Sequence, residues 1–274
     1  GALANGTNAG QILMTSGSQI TSQDGNITLR APGDILQLSV INADSNTDAT
    51  DGAVTITADY DGVGTGLSNN TGAIVDNLAG EPANNIVGGV VSLNAASGIG
   101  HGTGALDEAA DIDIDAVSLS TANTTGGFVQ IYEANDVALQ SVDNQTGAGT
   151  IVLDAVGAIT DNNDGNTVLT AGTLIVRADD GIGETAGNDD IQVDVDILDL
   201  RQTDVDTNDD GVVNITDTDG LQVYRIDQDA DSNVTLATTA GPITVTNGQA
   251  GVAATTGTVA LTVGGANNVL TVAD

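Results

Sequence analysis

Gly149-Thr150-Ile151-Val152-Leu153-Asp154-Ala155 returns a short way along the chain as Gly172-Thr173-Leu174-Ile175-Val176-Arg177-Ala178. Both read glycine, any residue, aliphatic, any residue, aliphatic, any residue, alanine. Apolar side chains at every second position mark a short strand with one buried face, and the glycine marks a turn before it. The phrase also opens at Gly25, Gly52 and Gly89, and in looser form at Ser232 and Gly257. Gly127-Phe128-Val129-Gln130-Ile131 and Gly211-Val212-Val213-Asn214-Ile215 complete the series. One small unit therefore recurs along the chain, and a unit of that size buries its apolar side only by lying on its neighbours.

From Gly89 the next openings are Gly127, Gly149 and Gly172, one long step and then two short ones. From Gly172 the same rhythm leads through Gly211 and Ser232 to Gly257. Each long step begins with a Gly-Ile-Gly box, Gly98-Ile99-Gly100 or Gly181-Ile182-Gly183. It continues into an acidic alternating strand, Asp111-Ile112-Asp113-Ile114 or Asp194-Val195-Asp196-Ile197, and a degenerate box stands at Gly62-Val63-Gly64. Coils of roughly 22 residues thus sit inside a larger repeat of about 84, and the shorter period is one that stacked repeat units use. The expected fold is all-β, a right-handed parallel β-helix (β-solenoid) forming one continuous domain over residues 1–274. Within it, residues 1–88 are degenerate repeats, 89–171 and 172–256 are full repeats, and 257–274 start another. Roughly twelve coils at about 4.8 Å each would make a rod on the order of 60 Å long. Inward ladders are expected through Val129, Ile151 and Leu174, and through Ile131, Leu153 and Val176. Tandem Ig-like or cadherin-like β-sandwiches are the alternative, since about 84 residues also suits one such domain. The shorter period favours the solenoid. So does the scarcity of bulky core residues, for the aromatic side chains are Tyr60, Phe128, Tyr132 and Tyr224 alone.

Thirty-eight acids face four basic residues, Arg30, Arg177, Arg201 and Arg225, for a net charge of −34. That balance excludes nucleic acid, whose phosphates need clustered cations, and direct docking on anionic lipid. At 40% hydrophobic residues in a patterned array, the chain is not an acidic disordered tail. Cysteine is absent, so neither disulfides nor thiolate metal sites are available. No run is long and apolar enough for a membrane span, and no basic-then-apolar leader opens the chain. A chain that begins at Gly1, inside its own repeat pattern, reads as a mature product or a segment of something longer. Only Glu81, Glu108, Glu133 and Glu184 are glutamates. Aspartate dominates because it suits turns, and this sequence is rich in turns.

The glycine-led phrase running into a Gly-Ile-Gly box and then an acidic strand resembles the repeats of large bacterial surface and secreted exoproteins of the filamentous haemagglutinin type. The resemblance is clearest from Gly89 to about Val263. It implies a right-handed parallel β-helix serving as a structural, non-enzymatic shaft in an extracellular or cell-surface adhesin, matrix or filament protein. It further implies self-association or a larger surface assembly, with a glycan or cell-surface ligand as a candidate partner. The alternative is a β-helix polysaccharide-active enzyme or carbohydrate-binding module. Against an enzyme, paired carboxylates are too numerous for any pair to stand out, and lysines and exposed aromatics for gripping sugars are scarce. His101, the single histidine, follows a Gly-Ile-Gly box with no nucleophile elbow beside it.

One local pattern points to a cation. Asp206-Thr207-Asn208-Asp209-Asp210-Gly211-Val212-Val213-Asn214-Ile215-Thr216-Asp217 resembles the calcium loop of dockerins. The resemblance implies calcium held by side-chain oxygens of Asp206, Asn208 and Asp210, the Val212 carbonyl, Asn214 and Asp217, with Gly211 at the sharp turn. The competing reading is an acidic turn of the solenoid, with Val213 and Ile215 inward and Thr218-Asp219-Gly220 breaking any helix. The trios Asp111, Asp113, Asp115 and Asp227, Asp229, Asp231 read as solvated strand faces. Seven Asn-x-Ser/Thr sequons, at Asn5, Asn26, Asn69, Asn123, Asn144, Asn214 and Asn233, offer glycan acceptors on an exported protein.

Overall fold

The computed structural model describes residues 10–15, 17–46, 51–60, 71–76, 84–100, 106, 111–145, 149–163, 166–183, 190–202, 211–228, 233–246, 251–254 and 257–272. Among these residues lie 23 strands and no helix. Every pairing between the strands is parallel. Sandwiches would need antiparallel hairpins, so the alternative falls and the chain is a right-handed parallel β-helix. Alternation sets which side chains enter the core. Ile27, Val54, Val91, Val129, Ile151, Leu174, Val213 and Val234 are all buried, and Val259 packs against the core.

One ladder runs through Ile12, Ile35, Ile74, Ile99, Val129, Ile151, Leu174, Leu198, Val223, Val245 and Val272. Between its two ends every rung is buried. A second ladder runs through Ile27, Val54, Val91, Leu119 and Leu139. The strand Val137–Asp143 carries it on from Val137 to Ile159, Ile182, Val213, Val234 and Val259. Stacked aliphatics of this kind contribute roughly 1.5–3 kcal/mol each when fully buried. Steps such as Ile35 to Ile74 take up far more chain than the step from Val129 to Ile151. The stack therefore holds fewer turns than the roughly twelve that a uniform coil implies. At about 4.8 Å per rung its length is on the order of 40–50 Å.

The repeated phrase changes ladder at each long step. Ile27, Val54 and Val91 stand on the second ladder, Val129, Ile151 and Leu174 on the first, and Val213, Val234 and Val259 on the second again. Two strands of 12 residues, Ile112–Asn123 and Ile191–Gln202, carry the chain across. Ile112 to Ile114 pair with Ile131 to Glu133, whereas Ser118 to Ala122 pair with the strand starting at Val137. Ile191 to Val193 likewise pair with Ile215 to Asp217 before Ile197 onward takes up the strand Leu221–Gln228. Pairing thus equates Ile112 with Ile191, although the acidic phrases align Ile112 with Val195.

The Gly-Ile-Gly boxes are sharp bends around one inward side chain. Ile99 and Ile182 are buried, while Gly98, Gly100, Gly181 and Gly183 have φ of 146, 73, 110 and 76°. L-residues with a Cβ rarely adopt such angles. The degenerate box at Gly62-Val63-Gly64 lies outside the described residues.

The aspartate and asparagine content has a structural use beyond local turns. At strand entrances, Asn26, Asp34, Asp136 and Asn233 accept backbone N–H groups of Ala53, Ala73, Ala158 and Thr258, each on the next coil. At strand ends, Asn42, Asp143 and Asp161 accept the N–H two residues on. The solvated-face expectation for Asp111 and Asp113 is corrected: they are 2% and 5% exposed and engaged within the fold. Asp115 accepts a hydrogen bond of 3.0 Å from Asn135 Nδ2. Asp229 and Asp231 lie outside the described residues.

Candidate functional site

The calcium-loop pattern divides at the start of the strand Val213–Asp217. Asp206, Asn208 and Asp210 lie outside the described residues. Val212 gives its carbonyl to the N–H of Ile182 at 2.8 Å, a bond of the coil stack. Val213, Ile215 and Asp217 point inward, so Asn214 and Asp217 lie on opposite faces of one strand. Asp217 is fully buried, and its two oxygens accept the N–H groups of Val195 and Asp219, each at 3.1 Å. The described half of the loop therefore does not gather around a common point. Among the described residues, no group of three His, Asp or Glu side chains is placed to hold a metal.

Three other places carry charged chemistry. The first is an open groove of about 520 Å³ lined by Asp196, Asp219, Leu221, Gln222, Pro242 and Thr244. Beside it burial, then the Asp219 and Asp196 charges, push the Asp194 carboxyl up from its ordinary value.

The second is a row of arginines. Arg177, Arg201 and Arg225 are evenly spaced, a signal legible in the sequence but hidden by the glycine period. Arg177 grips Asp154 of the coil before it through Nε and Nη2, both at 2.6 Å. Arg201 grips Asp199 at 3.1 and 2.7 Å, and Arg225 approaches the same carboxylate at 3.3 Å. Bidentate pairs of this kind are geometrically strict: Arg177 ties its coil to that of Asp154, Arg201 holds Asp199 within its own strand, and Arg225 reaches that carboxylate from the next coil. Arg30 stands apart, 5.0 Å from the Tyr60 ring centre.

The third is the interior itself, which holds two acids at matching positions, Glu133 and Asp217. Each ends a strand whose two preceding inward residues are aliphatic, Val129 and Ile131 or Val213 and Ile215. Each therefore occupies the alanine of the repeated phrase, taken elsewhere by Ala31, Ala58, Ala95, Ala155 and Ala178. Glu133 accepts the N–H of Ala116 at 3.2–3.3 Å and that of Asn135 at 3.2 Å. Two sequons are interior too. Asn123 Nδ2 donates to Asn144 Oδ1 at 2.7 Å, and Asn144 Nδ2 donates to the carbonyls of Gly127 and Thr150. Both asparagines are buried, so neither accepts a glycan in the folded protein. His101 lies outside the described residues.

Comparison with known protein families, with curated proteins and with solved structures gives no match. Among the described residues, no helix is long and apolar enough to cross a membrane.

Proposed function

We propose that this chain is a structural, non-enzymatic shaft segment of an extracellular adhesin, matrix or filament protein. The observation that carries this reading is the aliphatic ladder from Ile12 to Val272, which occupies the interior along the described length. A fold that spends its interior on stacking offers length and surface, and its acids serve as caps between coils. The last described strands keep an apolar edge open: Val259, Leu261 and Val263 are half-buried, and Leu270 and Val272 are 46% and 64% exposed. Calcium enters this reading as a counter-ion of the acidic exterior, because Asp217 already spends its oxygens on the backbone.

The test combines electron microscopy of the purified chain with assays of polysaccharide cleavage and glycan binding. Rods that lengthen with concentration, without turnover, support the shaft. Dispersed single particles that cleave an acidic polysaccharide overturn it in favour of a β-helix enzyme.

A further inference from the structure

Each time the phrase changes ladder, the crossing strand leaves one partner before it meets the next. In Ile112–Asn123 the gap falls between Ile114, the last residue paired with the strand Phe128–Glu133, and Ser118, the first paired with Val137–Asp143. In Ile191–Gln202 it falls between Val193 and Ile197. A backbone N–H inside such a gap has no ladder carbonyl on that side, and an unmet buried donor costs about 1–3 kcal/mol. In both gaps a carboxyl from the coil above takes it, Glu133 at Ala116 and Asp217 at Val195. The two acids stand one large repeat apart, and each bonded amide lies two residues past the last paired rung of its gap.

We propose that Glu133 and Asp217 are a repeated pair of buried carboxyl latches that hold the two ladder changes in register by accepting the amide each gap leaves unmet, and that the charge they bury on ionising makes the fold less stable as pH rises. Their surroundings supply the pH response. Glu133 faces Asp115 on the crossing strand and Ala155 in the coil above. Burial, opposed by the N–H groups of Ala116, Asn135 and Ala134 and reinforced by Asp115, pushes its carboxyl from 4.5 up to about 8. Asp217 faces Asp194 on its crossing strand, Asp219 in its own turn, and Thr238 above. Burial, opposed by the N–H groups of Val195 and Asp219 and reinforced by those two charges, pushes it from 3.8 up to about 6. In each case the folded chain binds its proton more tightly than the unfolded chain does. The stability this provides is complete below about pH 4 and is lost as pH rises, through about 6 for Asp217 and about 8 for Glu133.

The test is thermal and denaturant unfolding from pH 5.5 to 9 at high, constant ionic strength, with amide exchange followed at Ala116 and Val195. One such group changes the folding equilibrium by at most about tenfold per pH unit. Wild-type stability should fall across this range. Glu133→Gln should flatten the profile between pH 6.5 and 8 while keeping the Ala116 amide protected, because its side-chain carbonyl still accepts the bond. Asp217→Asn should flatten the lower part and keep Val195 protected. Glu133→Ala should expose the Ala116 amide. A Glu133→Gln profile as steep as wild type, or an Ala116 amide equally protected in Glu133→Ala, overturns the latch.

Discussion

Leu153 lies between Ile131 and Val176 in the stacked aliphatic interior, and it is 1% exposed. Leu153→Asp places an unpaired charge there and is expected to cost on the order of 4–5 kcal/mol. Loss of the cooperative thermal transition, with new protease cleavage nearby, is the measurement. Asn144 holds two carbonyls and the Asn123 amide, so Asn144→Ala should cost about 1–3 kcal/mol in denaturant unfolding. Sequence alone orients Leu153 correctly, because alternation reports burial directly. It cannot do so for Asn144 or Asp217, because each fits a surface motif, a sequon or a cation loop, as well as it fits a core cap. Only the pairing shows that their partners include backbone groups as distant in sequence as Gly127 from Asn144 and Val195 from Asp217.

A turn such as the second Gly-Ile-Gly box is decided by backbone angle and by space. Gly181 has φ of 110°, and a Cβ there would stand 2.7 Å from the Val212 carbonyl oxygen. Gly181→Ala should therefore cost about 1–3 kcal/mol. Gly33→Ala, where φ is ordinary and the nearest atom is 3.4 Å away, should be neutral or slightly stabilising. Equal denaturation midpoints for the two variants would refute this account of the box. The boxes, and the long steps from Gly89 to Gly127 and from Gly172 to Gly211, were legible as interruptions of the period. Their consequence was not, because a change of ladder depends on which strand a crossing segment leaves and which it joins. The acidic phrases set Ile112 level with Val195, yet pairing sets it level with Ile191, which shows how loosely sequence register follows spatial register here.

At the scale of the whole rod, charge density governs stability. A net charge of −34 on stacked coils, whose spacing of about 4.8 Å is well inside the screening length of about 8 Å at physiological salt, means strong self-repulsion. Raising sodium chloride from low to physiological concentration should raise the melting temperature. Calcium or magnesium at matched ionic strength should act similarly to one another if the ions serve only as counter-ions. A calcium-specific rise lost on Asp206→Ala would restore a dedicated site in the loop beginning there. The ladder changes also bear on how an array of this kind can lengthen. One large repeat carries the phrase from Val129 to Val213, and so from one side of the rod to another. Adding or deleting a single repeat would turn everything downstream about the long axis, whereas adding or deleting two would leave it facing as before. Any feature displayed beyond such a segment is thus indexed like a mark on a screw, and growth in pairs of repeats changes its reach without changing its bearing.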